Sequence, residues 1–281
     1  MADGQEKRLA AADGTLLYLR DWRAAPTLRQ AVLIVHGFGE HSGRYAHVIR
    51  FFQELGWAVR VMDWRGHGRS EGARGVLPNG APLLQDAEIV LDDFSQKLGY
   101  APLLFGHSMG GLFAAQFVLQ KRSALRGLIL SAPALGIPLA RWQSVLARLM
   151  LRLAPDLPLP SGLQSDYLSH DAQVGKAYRE DPLVHSWLSA RMLAHMQAAG
   201  ADCLQHAARL DCPCLLMVAG QDKLVDSSAS LRWASLVQAA KPGMLTCKQY
   251  PDSYHEILQD LAAPAAFADM RAWLQAQGLL A

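Results

Sequence analysis

The chain is short of most features that mark a specialised protein. Among its 281 residues only four are cysteines, Cys203, Cys212, Cys214 and Cys247. Cys212 and Cys214 flank a single proline, which is neither C-x-x-C redox spacing nor half of a zinc-binding pair. These thiols read as small buried hydrophobes of a reduced compartment, not as a disulfide framework. Excess charge of one sign is equally lacking: 27 Lys and Arg stand against 25 Asp and Glu, for a formal net charge of +2. That balance excludes the basic footprint from which nucleic-acid binding is argued, so no nucleic acid is expected as a partner. No uninterrupted apolar run reaches the length of a membrane span. Met1 to Leu9 carries charges and no apolar stretch, so it does not read as a signal peptide, and a cytoplasmic protein is expected. Ten histidines are scattered, and His255-Glu256 lacks the second histidine of H-E-x-x-H. Neither a metal nor any other cofactor is expected. Internal repeats and low-complexity segments are missing too.

What is present is apolar material in strand-sized and helix-sized portions. At 51% hydrophobic the chain can bury a substantial core. Leu16 to Trp22 alternates loosely and reads as an early strand, with room for a pairing strand before it. Thr27 to Gln30 reads as a polar connection. Ala31–Val35 is continuous and β-branched, as in parallel strands buried on both faces. Tyr45, Val48, Ile49, Phe52 and Leu55 then recur at helical spacing until Gly56. Strands over 57–62, from Leu103 into the Gly106 turn, and over 125–131 alternate with helices over 82–98 and from Leu112 onward. This alternation predicts an α/β fold with a mostly parallel, doubly wound sheet and helices on both faces. From 134 to 208 it breaks, leaving helical patterns and prolines but no strand: a helix over 139–153 and shorter ones near 183–199 and before Leu210. Strands resume at Cys214–Ala219 and Leu245–Tyr250, with helices over 228–239 and 263–277. The expected organisation is a core of 1–133 and 209–281, with 134–208 inserted as a helical cap.

The organising motif is Gly106-His107-Ser108-Met109-Gly110-Gly111, entered by a strand and left by a helix. In that context G-x-S-x-G is a tight strand-to-helix turn presenting a serine nucleophile. The flanking glycines keep bulk away from the hydroxyl, and the helix N-terminus favours developing negative charge. A serine needs a base, and the base needs a group that fixes its tautomer. In doubly wound hydrolases these follow in the order serine, acid, histidine, each after a strand end. Asp222 and His255 meet both conditions. The rivals fit less well. Asp226 sits where a helix cap is expected, and Asp63, His36 and His67 sit in glycine-rich loops that they are expected to hold by hydrogen bonds. His107, next to the serine, points away around the turn and is given a packing role. The oxyanion requires two backbone N–H donors. Met109, directly after the serine, and Phe38, after the first buried strand, are the candidates.

Taken together, His36-Gly37-Phe38-Gly39-Glu40-His41-Ser42-Gly43-Arg44-Tyr45, Asp63-x-Arg65-Gly66-His67-Gly68-x-Ser70-x-Gly72, the Ser108 motif, Asp222-x-x-Val225 and Tyr254-His255-Glu256 resemble the monoacylglycerol lipase and lysophospholipase (S33-like) branch of the α/β-hydrolases. The resemblance implies the α/β-hydrolase fold, a carboxylic-ester hydrolase without cofactor, and a small lipid or ester substrate. It assigns Ser108 as nucleophile, Asp222 as acid, His255 as base, and Phe38 and Met109 as oxyanion donors. Monoacylglycerol is the expected substrate. Lysophospholipids and short or xenobiotic esters are the alternatives, and a ligand-binding module on the same fold is the non-enzymatic one. The inserted segment corresponds to the family's cap. There Trp142, Leu146 and Met150 are candidates for the substrate channel. Residues 139–153 carry Leu139, Trp142, Val145, Leu146, Leu149, Met150 and Leu153 on one face and Arg141, Arg148 and Arg152 on the other, with no acidic residue. Such a helix either packs on the core with its arginines in water or lies transiently on an anionic membrane surface. The sequence leaves both open.

Overall fold

In the computed structural model, residues 4–24, 29–78 and 82–280 are described. The expected Thr27–Gln30 connection therefore falls partly outside the described residues, as do the first three residues of the N-terminal segment. The chain opens with a hairpin, β1 (Gln5–Ala10) and β2 (Leu16–Trp22), which confirms that the early strand has a partner before it. There follow β3 (Ala31–Val35), α1 (Ala46–Glu54), β4 (Ala58–Met62), α2 (Leu83–Leu98), β5 (Leu103–His107), α3 (Met109–Leu119) and β6 (Gly127–Ser131). Within the inserted segment lie α4 (Arg141–Leu153), β7 (Pro158–Pro160), α5 (Ala172–Glu180), β8 (Trp187–Ser189) and α6 (Ala190–Gln205). The core resumes with β9 (Cys214–Ala219), α7 (Ser227–Ala240), β10 (Leu245–Tyr250) and α8 (Ala263–Ala276).

Eight strands form one sheet in the order β1-β2-β4-β3-β5-β6-β9-β10. Pairing is antiparallel at β1–β2 and β2–β4 and parallel from β4 through to β10. The period-2 alternation of a strand appears directly in β3. Ala31, Leu33 and Val35 join the core on one face with α2, α3 and α7, while Val32 and Ile34 join the core on the other with α1 and α8. A strand covered on both sides must be apolar at every position, which is why β3, β4, β5, β6 and β9 are uniformly buried. Arg60 in β4 is the charged exception. Its guanidinium is held by Asp21, Asp93 and the Val90 carbonyl, so burial leaves no bare charge.

The inserted segment departs from expectation in three places. It does contain strands: β7 and β8 form a small antiparallel ribbon, Pro158 opposite Ser189. Pro158 and Pro160 bracket a three-residue strand and hid it, because proline argues against strand assignment except at edges. Helix α5 was not expected; it buries only Gly175 and Tyr178, too few for a visible apolar stripe. The helix expected over 183–199 starts later and runs further. Ser189 caps α6 through the Met192 amide, and α6 passes through Gly200. There glycine is a contact requirement, not a stop: a β-carbon would drive into the Leu135 carbonyl.

Helix α4 buries none of its residues, although it is strongly amphipathic. Val145, Leu149 and Leu153 are 65, 51 and 73% exposed. Packing of the whole apolar face on the core is therefore not what the fold provides. No helix of the described residues is long and apolar enough to cross a membrane.

Candidate active site

Ser108 stands between β5 and α3 with φ 53° and ψ −120°, a backbone conformation rarely adopted by a residue with a side chain. The surroundings hold it there: its amide donates to the Ser131 carbonyl at 3.0 Å, and its carbonyl accepts from the Ala134 and Leu112 amides at 3.0 and 2.9 Å. The glycines of the motif are sterically required. A β-carbon at Gly106 would meet the Gly110 carbonyl, and one at Gly110 would meet the Val35 and His36 carbonyl oxygens.

Asp222 and His255 leave the C-terminal ends of β9 and β10. Asp222 Oδ1 accepts from the Leu224 and Val225 amides at 2.9 and 3.0 Å, and Oδ2 lies 2.7 Å from His255 Nδ1. A carboxylate only accepts, so Nδ1 carries the proton and Nε2 is left with the lone pair. Both side chains are sealed from solvent, 0 and 4% exposed. Burial opposes the imidazolium, but Asp222, together with Glu256 and Glu40 beyond it, outweighs burial and holds the His255 pKa above its ordinary value. Burial likewise opposes the Asp222 charge, and His255 with the two amides holds that carboxyl below its ordinary range.

The alternatives fall into structural places. Asp226 caps α7 through the Ser228 amide at 2.9 Å. Asp63 accepts from the Ser42 and Arg69 amides, each at 2.8 Å. His36 donates to the Gly37 carbonyl and accepts from the Trp64 amide, and His67 donates to the Arg65 carbonyl. His107 packs its ring 4.8 Å from that of His255, and burial pushes its pKa down to about 3, so it stays neutral.

Met109 is the first residue of α3, where helix geometry leaves an amide without an intrahelical acceptor. Phe38 follows Gly37, whose own amide is tied to Glu40 Oε1 at 2.7 Å. The Phe38 ring lies edge-on to His67 of the core and His185 of the inserted segment. Ser108, His255 and Phe38 open into one cavity of about 360 Å³, whose wall includes Trp142, Leu146 and Met150. That size suits a small ligand or one acyl chain. The lining also includes polar side chains, among them Glu40, Tyr178, Lys223 and Glu256.

The polar lining was missed by sequence reasoning. Glu40 and Arg44 lie four apart in a loop read mainly for its glycines, and Glu256 directly follows His255. Charged residues inside such motifs were the available signal. No cluster of three or more metal-ligating side chains is found among the described residues.

Residues 26–262 match the family model described as serine aminopeptidase, S33. The chain is 29% identical to the monoacylglycerol lipase of Mycolicibacterium smegmatis over 280 residues, covering 96% of each protein. It is also 29% identical over 270 residues to an uncharacterized abhydrolase domain-containing protein of Dictyostelium discoideum, a longer chain of which it spans 28%. Among solved structures, the Paleococcus ferrophilus monoacylglycerol lipase superposes with a TM-score of 0.82 at 31% identity, over 93% of this chain and 99% of that one. The strained serine after β5, the acid and histidine after β9 and β10, and a family match across most of the sequence agree. The chain belongs to the serine aminopeptidase S33 family of serine hydrolases on the α/β-hydrolase fold.

Proposed function

We propose that the protein hydrolyses the ester of a single-chain lipid, monoacylglycerol foremost, through an acyl-serine intermediate. Ser108 Oγ attacks the ester carbonyl while His255 Nε2 takes its proton. Asp222 holds the imidazole in the required tautomer and stabilises its charged form. The oxyanion is received by the amides of Phe38 and Met109. The alcohol leaves with the proton from His255. Water, deprotonated by the same nitrogen, then releases the fatty acid and restores Ser108.

The observation that carries the reading is the Asp222–His255 pair at 2.7 Å, beneath a cavity that Ser108 shares. The cavity's mixture of apolar and polar lining supports a lipid ester. Trp142, Leu146 and Met150 suit an acyl chain, and the polar lining of Glu40 and Glu256, both paired with Arg44, and Tyr178 sets no bare charge against a neutral polyol. Lys223 also lines the cavity and suits a phosphate, so lysophospholipids remain the alternative that the assay separates. The Glu40 and Glu256 carboxylates are bonded to Arg44 and so are not free to receive the ammonium of a peptide N-terminus. The names of the mycobacterial and archaeal lipases agree with this choice.

Residues 134–208 act in this reading as the cap over the cavity. The exposed apolar row of α4, flanked by Arg141, Arg148 and Arg152, rests transiently on an anionic lipid surface while substrate enters. The test is fatty-acid release from a long-chain monoacylglycerol, the matching lysophospholipid and a short synthetic ester, with Ser108→Ala as blank. Preference for the monoacylglycerol is expected. Hydrolysis of the short ester alone would overturn the lipid assignment, and hydrolysis of none would overturn the enzyme.

A further inference from the structure

Arg44 is bonded to two loops at once. Its Nε donates to Glu40 Oε2 at 2.9 Å, and Nη2 donates to Glu256 Oε1 at 2.6 Å, a residue 212 positions further along the chain. All three side chains are at most 8% exposed. Both carboxylates have further partners. Glu40 Oε1 accepts from the Gly37 amide at 2.7 Å and the Tyr45 hydroxyl at 2.6 Å. Glu256 Oε2 accepts from Gln259 Nε2 at 2.6 Å. Tyr178 of α5 covers the guanidinium, its ring centre 4.9 Å away.

A buried ion bridge is a poor device for stability alone, because well-packed apolar groups of the same volume often hold a fold as well. The placement of this one is what marks it. At one end the Gly37 amide it fixes directly precedes Phe38. At the other end Glu256 directly follows His255. Arg44 is the planar fork that bonds both carboxylates in fixed geometry. We propose that Arg44, with Glu40 and Glu256, is a positioning bridge that sets the Phe38 amide and the His255 imidazole relative to each other, so that oxyanion donor and general base address the same acyl carbon. The inference rests on the roles given above to Phe38 and His255.

The bridge also sets the field on the imidazole. The charged and titratable groups packed around it are Glu40, His36 and His107 from the core loops and β5, Tyr45 and His47 from the turn and α1, Tyr178 from α5, and Asp222 and His255 from the loops after β9 and β10. Among these, Asp222, Glu256 and Glu40 favour the imidazolium against burial. Removing the Glu256 charge therefore makes His255 easier to deprotonate.

The experiment compares wild type with Arg44→Lys and Glu256→Gln on a soluble ester, recording kcat, KM, the pH profile of kcat/KM and Tm. Lysine keeps the charge but not the fork. The bridge predicts that kcat of Arg44→Lys falls about 10- to 100-fold with little change in KM, as for a slight misplacement of catalytic groups. Glu256→Gln, close in shape, is expected to lower kcat and move the acid limb to lower pH. Should Arg44→Lys not fold, Glu256→Gln carries the test alone. Wild-type kcat and an unmoved acid limb in the folded variants overturn the bridge, whatever happens to Tm. A wild type that hydrolyses no ester overturns the functional reading and the bridge with it.

Discussion

His255 and Asp222 meet at 2.7 Å across 33 residues of chain because their strands are neighbours. β9 and β10 pair in parallel with Tyr250 opposite Ala219, so both loops leave the sheet at the same edge. The loops are then stitched together: the Gly220 amide donates to the Tyr250 carbonyl and the Gln221 amide to the Ser253 carbonyl, each at 2.9 Å. Gly220 has no room for a β-carbon beneath Pro251. The pair is thus held by backbone and does not wait for substrate to assemble.

Removing the hydroxyl or the tautomer lock is expected to disable catalysis without unfolding the chain. In the proposed reaction serine, base and acid act as a unit, so Ser108→Ala is expected to lower kcat by about 10⁴-fold or more and Asp222→Asn by a comparable factor. Turnover of a soluble ester, read beside circular dichroism and Tm, checks this. A folded Ser108→Ala enzyme with wild-type kcat would exclude Ser108 as nucleophile.

The acid limb of activity follows from the direction in which His255 is held. In the proposed reaction the base must be neutral, and Asp222, Glu256 and Glu40 together outweigh burial to hold the His255 pKa above the ordinary value of 6.5. Activity is therefore expected to fall, with unit slope, as pH drops below a midpoint lying above 6.5. The pH profile of kcat/KM measures that midpoint. One well below 6.5 contradicts the proposed pair.

Stability should erode in acid through other histidines. Burial holds the pKa values of His47 and His185 down to about 4 and that of His107 to about 3. In the unfolded chain each takes up a proton near pH 6.5, so between there and pH 4 the unfolded state binds more protons than the folded one. Stability accordingly rises with pH across this window and is lost on acidification. A Tm series from pH 7 to pH 4 in constant salt should fall steadily. Substituting His47 by an apolar residue of similar size should flatten it.

Charge on the exposed row of α4 should separate membrane contact from chemistry. Val145→Asp and Leu149→Asp are expected to weaken co-sedimentation with anionic vesicles by about tenfold each, the scale of one buried aliphatic side chain. Hydrolysis of a soluble short ester should stay unchanged, since Ser108, Asp222 and His255 all lie outside α4. Undiminished vesicle binding would refute the surface assigned to α4.

Gly110→Ala tests the packing that shapes the nucleophile turn. Its new methyl would press on the carbonyl oxygens of Val35 and His36, backbone atoms that cannot swing aside. A loss of about 1–3 kcal/mol is expected, with activity falling further as β3 and its oxyanion loop shift. Thermal unfolding checks the first and kcat the second. An alanine tolerated in both would show that the turn has slack.

The core was legible because its signals are local. Val32, Ile34, Phe105 and Met217 sit in short apolar runs that can only be strands covered on both faces, and chain order then placed Asp222 and His255 at strand ends. The inserted segment was less legible for the same reason in reverse. Its ribbon is three residues wide and proline-bounded, and α5 buries almost nothing, so neither leaves a periodic trace.

By itself the sequence determined the alternating sheet, the strained turn at Ser108 and the order of serine, acid and histidine, since periodicity, glycine and chain order are properties of neighbours. Only the tertiary structure decided that α4 turns Val145 and Leu149 to solvent, that Phe38 lies against His185, and that Arg44 reaches Glu256. Each of those is a contact, or a missing contact, between segments far apart in the chain. Burial and pairing at such range depend on how the elements stack, and no local pattern encodes them.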